Sequence, residues 1–123
     1  MSKPLQKSLI VVIDDDEAAR TSLAQLLTLR RFDVRTFSSG EAALAWSDLP
    51  DCDVIVSDIK MPGMNGEELL AEVIRRRFMA PVILITGHGD VSMAVRCLKS
   101  GAYDFIEKPF DNEVILASVR RAV

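Results

Sequence analysis

Hydrophobic residues along the chain occur in short continuous runs that alternate with longer stretches of helical spacing. Three of the runs are apolar and rich in β-branched residues: Leu9–Ile13, Val54–Asp58 and Val82–Thr86. Such runs are typical of strands that are buried on both faces of a parallel sheet. Residues 34–37 and 103–107 are interrupted by charged side chains, so they predict strands at the edges of the same sheet.

The stretches between the strands predict helices, because apolar residues recur on one face and a polar residue precedes each stretch. The predicted helix starts are Asp16, Ser38 with Glu41 as a capping box, Asn65 with Glu68, Asp90 and Asp111. The predicted buried stripes of the later helices include Ile74, Val95, Leu98 and Val123. Gly101 is expected to end the fourth helix in a left-handed conformation.

Regular alternation of strand and helix, without hairpin signals, predicts a parallel sheet covered by helices on both faces. The predicted fold class is α/β, a flavodoxin-like, doubly wound (βα)5 sandwich of three layers with strand order 2-1-3-4-5. This order places the three apolar strands in the centre of the sheet and the two charged strands at its edges. A length of 123 residues fits one domain, which comprises residues 1–123.

Composition and charge exclude several classes of function for this segment. Its hydrophobic fraction of 49% is that of an ordinary globular domain, and its net charge of -3 offers no electrostatic footprint for nucleic acid. The sequence contains no signal peptide or long apolar span, so we expect a cytoplasmic location and no membrane partner. Cys52 and Cys97 are isolated and are expected to be reduced core thiols, since His88 cannot complete a soft metal site with them.

Polar residues stand where the predicted strands end. Asp14 and Asp15 follow the first strand, Asp58 ends the third, Thr86 ends the fourth, and Lys108 follows the fifth. Because the carboxyl ends of parallel strands meet at the edge where open α/β sheets bind ligands, we expect these side chains to lie together. Each has an ordinary alternative role, as a helix cap, a strand residue or a charge on an edge strand. Their convergence on one edge favours a functional site.

The residue types at this edge indicate phosphoryl chemistry. Three neighbouring carboxylates repel one another unless a cation joins them, and all-oxygen ligands suit Mg²⁺, which is the predicted cofactor. Asp58 can attack phosphorus as a nucleophile, while the Thr86 hydroxyl and the Lys108 ammonium group bind phosphoryl oxygens. The predicted product is an aspartyl phosphate.

The order and spacing of these residues resemble the signature of the response-regulator receiver family of two-component signalling: Asp14-Asp15, Asp58, Thr86 and Lys108-Pro109-Phe110. The resemblance covers the whole chain. It implies that Asp58 accepts a phosphoryl group from a sensor histidine kinase, so the chain is a self-phosphorylating and autodephosphorylating acceptor and not an enzyme. It further implies that Asp15, Asp58 and the Lys60 carbonyl bind Mg²⁺, that Asp14 holds a metal-bound water, and that the Lys108-Pro109 peptide bond is cis.

Within the family, residues 86–95 and 101–110 are similar to receivers of the dicarboxylate-transport and nitrogen-regulation transcription activators, and nearly as similar to nitrogen-fixation regulators. The first group joins its receiver to a sigma-54-interacting ATPase and a helix-turn-helix, the second to a helix-turn-helix alone. Neither output domain is present in this sequence. We therefore expect residues 1–123 to be the N-terminal receiver of a longer regulator that contacts DNA only through the absent output domain.

The resemblance also implies a switch. Thr86 and Lys108 are expected to move toward the phosphoryl group, and Phe105 to turn inward as the Thr86 hydroxyl moves, unless Phe105 is an ordinary packed side chain. The face made by the fourth helix, fifth strand and fifth helix would then pair two copies as a homodimer or release an output domain. Lys60 and His88 are hypothesised to set the lifetime of the phosphoryl group by controlling water; the alternative is that both are solvated loop side chains.

Two alternatives stay open. Asp14-Asp15-Asp16 also fits the D-x-D motif of haloacid-dehalogenase-like phosphatases, with Thr86 and Lys108 as later motifs, although that family needs further acidic ligands and usually a cap domain. The other alternative is a stand-alone receiver that signals by docking on a partner protein.

Overall fold

Five parallel strands form a sheet in the computed structural model, which describes residues 7–123 apart from the side chain of His88. The strands are β1 (Leu9–Ile13), β2 (Asp33–Phe37), β3 (Val54–Asp58), β4 (Val82–Thr86) and β5 (Asp104–Glu107). Their order across the sheet is β2-β1-β3-β4-β5. The predicted strand order is confirmed, and the three apolar runs are the central strands.

Helices alternate with these strands along the chain. They are α1 (Glu17–Leu29), α2 (Gly40–Ala45), α3 (Gly66–Arg75), α4 (Val91–Lys99) and α5 (Asn112–Ala122). Two short 3₁₀ turns lie at Leu49–Asp51 and His88–Asp90. Within residues 7–123, no helix is both long and apolar enough to cross a lipid bilayer.

The core has two layers, because successive residues of a strand point to opposite faces of the sheet. On one face, Ile10 and Val12 of β1 pack with residues of α1 and α5: Leu23, Leu27, Ile115, Leu116 and Val119. On the other face, Val11 and Ile13 pack with residues of α2, α3 and α4: Ala43, Leu69, Leu70, Val73, Ala94 and Cys97. Helices therefore cover both faces, as the doubly wound prediction requires.

Asp16 and Asn65 cap their helices as predicted, whereas Asp90 and Asp111 stand at the predicted helix starts but make no side-chain capping hydrogen bond. The Asp16 carboxylate accepts a hydrogen bond from the Ala18 backbone N–H at 3.0 Å and caps α1. Asn65 and Glu68 form the predicted capping box of α3, in which each side chain accepts a backbone N–H of the other residue. These bonds satisfy amide groups that the first turn of a helix leaves without partners.

The predicted start of α2 is wrong by one residue. Its N-cap is Ser39 and not Ser38, because the Ser39 hydroxyl accepts the Ala42 backbone N–H at 3.1 Å. The predicted capping box fails because the Glu41 carboxylate does not return to the start of its own helix. It accepts the backbone N–H of Met64, in the loop that follows β3, at 3.1 Å.

The predicted buried stripes are wrong at four positions, whose exposed fractions range from 38% to 53%: Ile74, Val95, Leu98 and Val123. In α4 the fully buried residues are Ala94 and Cys97. These small side chains face the sheet and allow α4 to lie close to it. The larger apolar residues of α4 lie on its other sides. Val95 and Leu98 therefore stand on the solvent side of α4.

Gly66 begins α3 directly against the end of β3. A Cβ atom on this residue would lie 2.8 Å from the Asp58 carbonyl oxygen and 2.8 Å from the Ile59 Cα, and both are backbone atoms. We expect Gly66→Ala to lower the free energy of unfolding by about 2 kcal/mol, the scale of an overpacked core. Gly89→Ala is the matched control, since a Cβ atom there would meet nothing within 4 Å. Urea denaturation measures both variants, and equal stability of the two would contradict this expectation.

Candidate functional site

The predicted site residues stand at the carboxyl edge of the sheet. In the strand register, Asp58 pairs with Ile85, and Thr86 pairs with Glu107, the residue before Lys108. The Lys108 backbone N–H donates to the Thr86 carbonyl at 2.8 Å, which extends the pairing of β4 and β5 by one bond. The ends of β3, β4 and β5 therefore form one continuous edge.

Three carboxylates lie together at this edge. One oxygen from each of Asp14, Asp15 and Asp58 lies within 4.8 Å of the others. Asp14 and Asp58 are buried, with exposed fractions of 6% and 8%, because each comes at the end of a strand that is buried on both faces. Asp15 is exposed to solvent. The cluster can hold a metal ion, and its oxygen ligands are those that hard divalent cations prefer.

The Asp14 carboxyl has a pKa raised above its ordinary value. Burial is the main cause, and the charges of Asp58 and Asp15 act in the same direction. The Asp16 backbone N–H, which donates to Asp14 Oδ1 at 3.0 Å, and the Lys108 ammonium group lower the pKa but do not compensate. Folding therefore disfavours the charged form of Asp14.

Lys108 brings a positive charge into the carboxylate cluster. Its Nζ lies 2.9 Å from Asp58 Oδ2, close enough for a charge-assisted hydrogen bond. Partial burial by itself would lower the Lys108 pKa, but the hydrogen bond to Asp58 and the charges of Asp58, Asp14 and Asp16 raise it overall. Lys108 is therefore protonated at neutral pH. The Lys108-Pro109 peptide bond is cis, as the resemblance implies.

Thr86 lies at the same edge, fully buried, and its hydroxyl donates to the Gly87 carbonyl oxygen at 3.2 Å. This distance is long for a bond between two oxygen atoms, so the hydroxyl is held weakly.

The remaining predicted residues lie around this cluster. The Lys60 Nζ lies 3.5 Å from Asp90 Oδ1, so this ion pair joins the loop after β3 to the start of α4, while the Lys60 side chain is 75% exposed. Phe105 is half-buried and packs against the core layer beneath α2, α3 and α4. The prediction for His88 concerns a side chain that lies outside the described residues.

Two supporting interactions at the site were not predicted. The Gly66 backbone N–H donates to the Ile59 carbonyl at 2.7 Å and closes the loop that follows Asp58. The Met64 backbone N–H donates to Glu41, which lies 23 residues earlier in the sequence. A glycine directly after the predicted cap Asn65 was a local signal for the first contact. No local pattern joins Glu41 to this loop.

A family model described as the response regulator receiver domain matches residues 10–120. The chain belongs to this family and is the receiver domain of a two-component response regulator. Membership rests on a match to nearly the whole chain, so the phosphatase alternative has no support.

The relatives are transcriptional regulators of the predicted types. The transcriptional regulatory protein FixJ of Rhizobium meliloti is 47% identical over 111 residues, which are 90% of this chain and 54% of that protein. The C4-dicarboxylate transport transcriptional regulatory protein DctD of Pseudomonas aeruginosa is 45% identical over 118 residues, 93% of this chain and 25% of that protein. The chain thus spans about half or a quarter of these relatives.

The fold agrees with that of solved receivers. The crystal structure of FixJ-N has a TM-score of 0.86 and 46% sequence identity, and the match covers 95% of this chain and 94% of that one. A response regulator receiver domain protein from Clostridium thermocellum has a TM-score of 0.88 at 29% identity and 94% coverage of this chain. The flavodoxin-like prediction is confirmed.

The raised pKa of Asp14 predicts a stability effect with a defined sign. A carboxyl whose pKa is higher in the folded than in the unfolded protein destabilises the fold as pH rises through these two values, and the effect is complete above both. We expect Asp14→Asn to raise the free energy of unfolding at pH 7 without divalent cations, because the folded protein disfavours the charged form of Asp14. The gain should shrink as pH falls toward about 4, where an unfolded aspartate is half protonated.

Thermal unfolding in a chelator between pH 4 and pH 7 measures this difference. Asp33→Asn, at an exposed position of the edge strand β2, is the control and should leave stability unchanged. Destabilisation by Asp14→Asn at pH 7, or a gain that is the same at both ends of the pH range, would contradict the assignment.

Proposed function

We propose that the chain accepts a phosphoryl group on Asp58 from the phosphohistidine of a sensor histidine kinase. The observation that carries this proposal is the 2.9 Å contact between Lys108 Nζ and Asp58 Oδ2 within a cluster of carboxylates. A nucleophilic carboxylate, a cation beside it and a candidate metal site are the parts that phosphoryl transfer needs. Membership in the receiver family supports the same chemistry.

The proposed cofactor is Mg²⁺, held by Asp15, Asp58 and the Lys60 backbone carbonyl, with Asp14 contributing through water. The donor set fits, because the three carboxylates offer oxygen atoms within 4.8 Å of one another. When bound, the ion would neutralise the cluster and stabilise the negative charge of the phosphoryl oxygens.

In the proposed transfer, a carboxylate oxygen of Asp58 attacks phosphorus while the bond from phosphorus to the imidazole nitrogen breaks. The bonding electrons return to the imidazole, which takes up a proton from solvent. Lys108 exchanges Asp58 Oδ2 for a phosphoryl oxygen, and the Thr86 hydroxyl exchanges the Gly87 carbonyl for another. Later hydrolysis releases inorganic phosphate and restores Asp58. The chain is thus modified once per cycle as a phosphoryl acceptor, and it is not a classical enzyme.

The proposed output begins with Thr86. The Thr86 carbonyl accepts the backbone N–H of Lys108, and Thr86 pairs with Glu107 of β5, the strand that also carries Phe105. Movement of Thr86 and Lys108 toward a phosphoryl group would therefore be transmitted to β5. Apolar residues stand exposed on α4 and directly before β5: Val95, Leu98 and Tyr103, at 39%, 38% and 43%. We propose that this α4-β5-α5 face forms the homodimer after phosphorylation.

The proposed cellular role is transcription regulation through a domain outside this sequence. The relatives FixJ and DctD are named as transcriptional regulators and extend well beyond the matched segment. Residues 1–123 would then be the N-terminal receiver of a longer cytoplasmic regulator, and DNA would be contacted through its output domain.

Asp58 should be the acceptor of the phosphoryl group. We expect acetyl phosphate with Mg²⁺ to label the chain, and Asp58→Asn to abolish labelling because no other carboxylate of the cluster contacts Lys108 within hydrogen-bond distance in the described residues. Borohydride trapping and mass spectrometry locate the label. Asp111→Asn, an exposed acid outside the cluster, is the control and should label normally. A label on Asp14 or Asp16 would refute the assignment.

The same trapped label tests the lifetime hypothesis for Lys60 and His88. Its decay should change more than twofold in Lys60→Ala or His88→Ala if these side chains control water at the phosphoryl group. Decay within twofold of the native rate in both variants would show that they are solvated loop residues.

Dimerisation should depend on Thr86 and on the exposed face of α4. We expect beryllofluoride with Mg²⁺ to raise the sedimentation mass of the native domain, and Thr86→Ala or Leu98→Glu to prevent the rise. Leu29→Glu, at a position 78% exposed at the end of α1, is the control and should dimerise normally. A native domain that stays monomeric, or a Thr86→Ala variant that pairs like the native one, would overturn this part of the proposal.

A further inference from the structure

The loop that carries Lys60 is held at both of its ends by backbone amides. At its start, the Ile59 carbonyl accepts the Gly66 N–H at 2.7 Å, so the chain returns to the end of β3 after one short excursion. At its end, the backbone N–H groups of two consecutive residues, Met64 and Asn65, each donate a hydrogen bond to a carboxylate. The Asn65 N–H donates to Glu68 Oε1 at 2.9 Å, and the Met64 N–H donates to Glu41 Oε2 at 3.1 Å.

These two carboxylates reach the loop from different places. Glu68 belongs to α3, the helix that the loop itself begins, and its contact is local. Glu41 belongs to the first turn of α2, an element that reaches the loop only through tertiary packing. Its contact therefore fixes the loop relative to a second, independent part of the fold.

Two further close approaches, at Gly63 and at Gly40, show that the same part of the loop packs tightly against α2. Gly63 has a φ of 73°, and a Cβ atom there would lie 2.7 Å from Glu41 Oε2, so the carboxylate occupies the space that a side chain would need. The Met64 sulfur lies 3.1 Å from the position that a Cβ atom on Gly40 would take. Small residues on both sides thus let α2 and the loop approach closely.

We propose that Glu41 is a positioning residue for the metal site. By accepting the Met64 N–H, it anchors residues 60–64 to α2 and thereby restricts the position of the Lys60 backbone, two residues after Asp58. This inference rests on the proposed function, in which the Lys60 carbonyl is a Mg²⁺ ligand. Glu41 contacts neither the ion nor the phosphoryl group; it acts through the loop.

The test compares Glu41→Ala with Glu41→Gln in the 123-residue chain. Both variants remove the charge, but the Gln carbonyl oxygen can still accept the Met64 N–H. Calorimetric titration with MgCl₂ measures the affinity for the metal alone. We expect Glu41→Ala to weaken Mg²⁺ binding about three- to tenfold, the scale of one lost hydrogen bond, and Glu41→Gln to stay within about twofold of the native protein.

Amide hydrogen exchange of Met64, followed by NMR without metal, supplies a second readout. Exchange should accelerate about three- to tenfold in Glu41→Ala and be restored by Gln. Glu113→Ala, an exposed acid in the first turn of α5, is the control for lost charge and should change neither quantity.

The outcomes separate the inference from the function on which it rests. Equal weakening of Mg²⁺ binding by Ala and Gln would show an effect of charge alone and overturn the positioning role. Native affinity in Glu41→Ala would overturn it as well. Neither readout involves phosphoryl transfer, so a failure to label Asp58 would refute the proposed function without deciding the role of Glu41.

Discussion

Repulsion among carboxylates at one edge of the sheet is the constraint on which the site depends. Asp14 and Asp58 are buried at the ends of adjacent central strands, where water screens their charges poorly. Burial raises the pKa of Asp14, and the charges of Asp58 and Asp15 add to this effect. Lys108 offsets part of this repulsion through its 2.9 Å contact with Asp58, so the cluster is a set of charges that a cation or a change of partners can reorganise.

The contacts around the cluster differ in how easily they can be exchanged. The core layers beneath β1, β3 and β4 consist of fully buried side chains and resist rearrangement. The bonds that cross between loops and helices are more exposed: Lys60 to Asp90, and Glu67 to Arg96 between α3 and α4. Exposed ion pairs contribute little to stability, so α4 is held on the sheet mainly by the buried side chains of Ala94 and Cys97.

Much of this architecture was predictable from local patterns. The continuous apolar runs predicted the three central strands, the charges in 34–37 and 103–107 predicted the edges, and Asn65 with Glu68 predicted the start of α3. The meeting of polar residues at the edge was also predictable, since the fold requires that residues after parallel strands meet. The errors were local ambiguities. Two consecutive serines fit the start of α2. Periodicity correctly indicated that Ala94 is buried, but it did not show that Cys97 would join it in place of Val95 and Leu98.

The sequence by itself thus determined the element types, their order in the sheet and the residues brought to the carboxyl edge, because these follow from hydrophobic period and chain topology. Only the tertiary structure decided which contacts those residues make. It showed that Lys108 meets Asp58, that the Thr86 hydroxyl is held by the Gly87 carbonyl, and that Glu41 supports the loop of Met64. Hydrogen bonds of this kind depend on distances of a few tenths of an ångström between separate elements, which no spacing along the chain specifies.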